Sequence, residues 1–65
     1  MSDEQTVTIE VTMSESQAWA FAEFLKRVGL SDYKTLSVDT DEAYTMLSAG
    51  EIVRRSLAEH GFAPR

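Results

Sequence analysis

From Thr6 to Met13 the chain alternates without a slip. Val7, Ile9, Val11 and Met13 fall on one side, and Thr6, Thr8, Glu10 and Thr12 on the other. A period of two, with β-branched residues on both faces, predicts a β-strand with one face toward water. The period then changes. Ser14-Glu15-Ser16-Gln17 has the spacing of a capping box, in which Ser14 accepts from the Gln17 amide and Gln17 reaches back. Ala18, Phe21, Ala22, Leu25 and Val28 follow at helical spacing, and Phe24 widens the stripe. Lys26 and Arg27 suit the negative end of a helix dipole, and Gly29 suits the position just beyond it. The pattern predicts a helix over 15–28.

The next ten residues, LSDYKTLSVD, read two ways. Ser31-Asp32 can open a helical turn carrying Tyr33 and Leu36, or Thr35–Val38 can form a short strand; the helical turn is favoured. Asp39 or Thr40 caps a second helix, with Asp41 and Glu42 in its first turn. Ala43, Met46, Leu47 and Gly50 share one face of it. Beyond Gly50 the stripe shifts to Val53 and Leu57, and Ser48–Glu51 repeats the capping-box spacing, so a kink or break near Gly50 is expected. At the end, Gly61 fits a Schellman C′ position with Phe62 folding back on Leu57, and Pro64 stops the helix. The expected fold is α+β: one small domain over 1–65, with an N-terminal strand, two main helices and a short connector turn, and residues 1–5 frayed. A single strand leaves its backbone groups in want of partners. The connector can supply a second strand, two chains can pair theirs in a homodimer, or the strand can lie on the helices of a monomer with a hydrated edge.

Size and charge narrow the function classes. The chain has 65 residues and no cysteine, so neither a disulfide nor a cysteine metal site can staple it. Hydrophobic content of 43% suffices for a core. Six bases face eleven acids, a formal net charge of −5. Proteins that grip nucleic acid present basic stripes, so direct nucleic-acid binding is disfavoured and basic partners are favoured. The opening Met1-Ser2-Asp3-Glu4 is acidic where a signal peptide is basic, and no apolar run approaches membrane-spanning length. A cytoplasmic location with no membrane partner is expected.

Catalytic chemistry finds little to work with. The lone histidine, His60, stands at a helix end with Ser56 four residues before it, where an imidazole is stabilised by the dipole and no third orienting group is in view. One histidine, no cysteine and no calcium-loop spacing around Asp39-Thr40-Asp41-Glu42 give no metal site. Three scattered glycines make no phosphate loop. The reading is a non-enzyme without cofactor or metal. Trp19 lies away from the centre of the first stripe, near Glu23 and Lys26; it serves either as a lid on a small core or as an exposed anchor for a partner. Asp39, Asp41 and Glu42 complement a helix start, and Asp3, Glu4, Glu10 and Glu15 join them in one negative surface if the two helix starts are neighbours.

Two resemblances bear on these features. TVTIEVTMSESQAWAFAEFLKRVGLS is similar to the opening of ribbon-helix-helix repressors and antitoxins, which implies a paired-strand dimer that reads the major groove. Glu10 stands where that family has basic or amide readers, and some ten extra residues precede the second helix. QAWAFAEFLKRVGLSDY, DTDEAY and HGFAPR resemble small acidic anti-CRISPR proteins of phages and mobile elements, the type I-C inhibitors. That resemblance implies a protein in the host bacterial cytoplasm that binds a type I surveillance complex (Cascade) and keeps it from target DNA. A basic DNA channel is a natural target for a compact polyanion. The candidate contact residues for such a DNA mimic are Glu10, Glu15, Asp39, Asp41 and Glu42, with Trp19 as apolar anchor.

Overall fold

A computed structural model describes residues 4–65. The expectation of a frayed end over 1–5 lies outside the described residues for positions 1–3. Three helices follow one another: α1 (Glu15–Arg27), α2 (Leu30–Leu36) and α3 (Thr40–Glu59).

The helix boundaries have local causes. The Ser14 hydroxyl accepts from the Gln17 amide at 3.1 Å, and the Ser14 amide donates to Gln17 Oε1 at 2.9 Å, so both halves of the expected capping box form. At the start of α2 the Gly29 amide donates to Asp32 Oδ2 at 2.8 Å. Asp39 caps α3 by accepting from the Glu42 amide at 2.8 Å, and the Glu42 carboxylate accepts from the Val38 amide at 2.7 Å. The far end of α3 closes as a Schellman turn. Gly61 takes φ +98°, the left-handed region open to glycine, while Phe62 N–H donates to Leu57 O and Gly61 N–H to Ala58 O.

α1 and α2 both pack on α3. Leu25, late in α1, lies close to Gly50 in the middle of α3, whereas Ala18 and Phe21, early in α1, share a groove with Val53, Leu57 and Phe62. The two helices therefore run in opposite directions. The core between the elements is mostly alanine: Ala18, Ala22, Leu25 and Ala43 are the buried apolar side chains among the described residues.

Two expectations are corrected. The fold is all-helical rather than α+β, because the alternating segment pairs with nothing. Among the described residues there is no sheet, and residues 5–13 make no hydrogen bond. The connector could have completed a ladder but is itself helical as α2, which leaves a solitary run of strand formers with no partner for its amides and carbonyls. Its apolar side chains gain little shelter from the helices: Val7 is 85% exposed and Ile9 75%. The radius of gyration, 13.1 Å, exceeds the about 11 Å of a compact chain of this length, as an arm beside a helical body requires.

The break near Gly50 is also absent, since α3 is one helix of 20 residues. Gly50 serves packing instead. A β-carbon there would collide with the Tyr33 hydroxyl and come within 3.3 Å of Tyr33 Cζ, so its bare backbone lets the α2 aromatic ring approach.

Candidate functional site

The unpaired segment and the helical body together border an open groove of about 820 Å³. Residues 7–15 form one side. Ala18 and Phe21 of α1 and Ile52, Val53, Ser56 and Leu57 of α3 form the rest, closed at one end by His60 and Phe62. Its apolar groups are accessible: Val11 and Ile52 are each 61% exposed, and Phe21 is 40% exposed. Phe21 also stacks on Phe24, with centroids 5.9 Å apart and rings nearly parallel.

Trp19 is packed on one side and open on the other. Its ring meets Phe62 edge to face, with centroids 5.2 Å apart, so it covers the residue that ends the groove; 44% of Trp19 still faces solvent. The Schellman turn aims Phe62 at this contact, and in that way the end of α3 is tied to the start of α1.

The acids fall into two groups. Glu10 and Glu15 border the groove, beside the last turns of α3. Asp39, Asp41 and Glu42 surround the first turn of α3. With a rise of 1.5 Å per residue, Glu42 and Leu57 stand about 22 Å apart along that helix. The antiparallel course of α1 and α3 thus sends the two helix starts to opposite ends, and the five acids form two separate groups rather than one cluster. None of the five is in an ion pair. Asp39 and Glu42 have their carboxylates engaged by backbone amides, whereas Asp41 is exposed with only its carbonyl in use, by Thr45.

Other features are chemically quiet. His60 Nδ1 lies 2.8 Å from the Ser56 carbonyl oxygen, so the ring binds the helix backbone rather than the Ser56 hydroxyl. No group of three or more possible metal ligands exists among the described residues. A second, shallower hollow beside Phe24, Val28 and Asp32 contains the Glu23–Arg27 ion pair at 3.0 Å, which already matches its charge. No helix among the described residues is long and apolar enough to cross a membrane.

Phe21, Ile52 and Val53 are site residues that periodicity assigns elsewhere or passes over. Phe21 and Val53 belong to the apolar stripes, which place them in the core, but a helix pair in contact through alanines leaves larger side chains at its edge. Ile52 carries a visible signal: it lies off the Ala43–Gly50 face, on a helix otherwise polar there.

The chain belongs to a family of unknown function, DUF7706, whose sequence profile matches residues 1–65. No curated protein and no solved structure matches it.

Proposed function

We propose that this protein is a non-catalytic inhibitor that acts by contact, occupying a basic nucleic-acid-binding surface of a partner in the bacterial cytoplasm. The specific target we assign is a type I CRISPR surveillance complex, on the sequence resemblance to small acidic anti-CRISPR proteins. The observation that carries the contact is the set of acids without basic counterparts. Glu10, Glu15, Asp39, Asp41 and Glu42 have no ion pair, while the chain carries five net negative charges. Two acidic groups about four helical turns apart suit an extended channel better than a point-like site, since nucleic acid presents charge along its whole length. Such attraction is long-ranged and weakens with salt.

The test is a gel-shift competition between this protein and a target duplex for purified type I-C complex, at low and high salt. Displacement of the duplex that weakens with salt supports the reading. Asp41→Lys combined with Asp39→Asn then reduces displacement, while the introduced asparagine amide keeps the helix cap. An unchanged shift overturns the target. Retardation of DNA by the protein alone replaces the reading with ribbon-helix-helix-like DNA binding.

A further inference from the structure

The groove between residues 7–15 and the helices has a composition unlike the rest of the surface. Among its bordering residues the acids are Glu10 and Glu15, and there is no lysine or arginine. Its interior is apolar and open, with Val7, Ile9, Val11, Phe21 and Ile52 between 40% and 85% exposed. A contiguous apolar surface of this kind on a small protein marks an interaction site. Beside it, the amides and carbonyls of residues 5–13 are exposed and have no hydrogen-bond partner within the chain.

We propose that this groove receives an amphipathic segment of a partner protein, with apolar side chains along one edge and lysine or arginine along the other. The inference rests on the reading above for the basic character of the partner, and adds where and how it is held. The apolar edge removes Phe21, Ile52 and Val11 from water. The basic edge meets Glu10 and Glu15, and its N–H donors reach the idle carbonyls of the arm. Charge selects this occupant over others. An acidic segment meets two like charges. A second copy of the chain, related by a two-fold axis, sets the same pair of carboxylates from both molecules around one interface. A small molecule finds no buried, unsatisfied polar group to orient it among the described residues.

Trp19 reports on occupancy, because its ring packs on Phe62 at the end of the groove. The probe is a synthetic leucine–lysine amphipathic peptide of about five helical turns, free of tryptophan. A leucine–glutamate peptide and an oligolysine of equal length serve as controls. The expected result is a saturable change in Trp19 emission with the leucine–lysine peptide and none with the leucine–glutamate peptide. Ile52→Glu, at a surface position where helicity by circular dichroism is retained, weakens binding about tenfold, the loss of one well-packed apolar contact. Glu10→Gln with Glu15→Gln weakens it several-fold, more at low salt.

Three results overturn the proposal. Oligolysine binding as tightly as the leucine–lysine peptide, with Ile52→Glu silent, shows attraction by charge alone and leaves the inhibitor reading standing. A dimer in sedimentation that Ile52→Glu dissociates, together with no peptide binding, shows that a second copy covers the groove. Absence of any binding by a monomer shows that the groove is no docking site. Peptide binding in the groove without displacement of duplex from the surveillance complex supports the groove and removes the target.

Discussion

The two sides of α1 meet very different surroundings. Toward α3 it presents Ala18, Ala22 and Leu25, all nearly inaccessible. At its start it faces the arm of residues 4–14, whose larger apolar groups stay open to water. Residue size differs between these regions: apart from Leu25 the buried apolar residues are alanines, whereas the valines and isoleucine of the arm are exposed. A chain stabilised in isolation would place its valines and isoleucines inside. The contrast indicates that α1 and α3 approach closely through alanines, while the larger groups of the arm contribute little to burial.

Substitutions test this contrast, and the largest effect belongs to the helix junction. Ala22→Leu, at a position with no exposure, overpacks the contact and lowers stability by about 1–3 kcal/mol, measured by urea unfolding. In a domain this small that is a substantial share of the total. If Ala22→Leu is as stable as the parent, the junction is not close-packed. Gly50→Ala comes next. In an exposed helix interior alanine gains about 1 kcal/mol over glycine, but here the new methyl group displaces the Tyr33 hydroxyl, so the variant is less stable than the parent. Tyr33→Phe relieves the collision, and a double-mutant cycle should show coupling between the two positions. Additive effects would mean that Tyr33 does not lie on Gly50.

Ser14→Ala removes one half of the capping box and costs about 1 kcal/mol. It also sharpens the comparison, because it acts where the arm joins the body: a loss seen in α1 helicity without change at Trp19 would separate the cap from the Trp19–Phe62 contact. The smallest effect is predicted on the arm. Val7→Ser or Ile9→Ser changes stability by no more than about 0.5 kcal/mol, since both side chains are already in water. A large loss from either would show that the arm shelters the core.

Much of the helical body was legible in the sequence because its signals are local. Ser14 with Gln17 and Gly61 before Phe62 each act on groups a few residues away and appear where spacing put them, and of the two caps the sequence offered for α3, Asp39 or Thr40, Asp39 takes the position. Three features were not legible, for one reason: they depend on residues distant in sequence. Alternation from Thr6 to Met13 reports what the backbone prefers, but a strand needs a neighbour, and this chain spends its other segments on helices. The shift of stripe at Gly50 allowed a break in the helix, which does not occur; the missing information was the Tyr33 ring on α2. The five acids could be joined in one surface only with α1 and α3 starting side by side, and their antiparallel course became visible only in three dimensions. His60 with Ser56 was readable as a helix-end pair, and the contact made is to the backbone carbonyl.

The alanine junction has a thermal consequence. Unfolding raises heat capacity in proportion to the apolar surface newly wetted, about 0.8–1 kcal/mol/K for an ordinary chain of this length. Here much of the large apolar surface is wet before unfolding begins, so the increment should fall below that range. The stability curve then has weak curvature. Cooling the protein well below room temperature costs it little, and on heating it melts gradually over a wide interval.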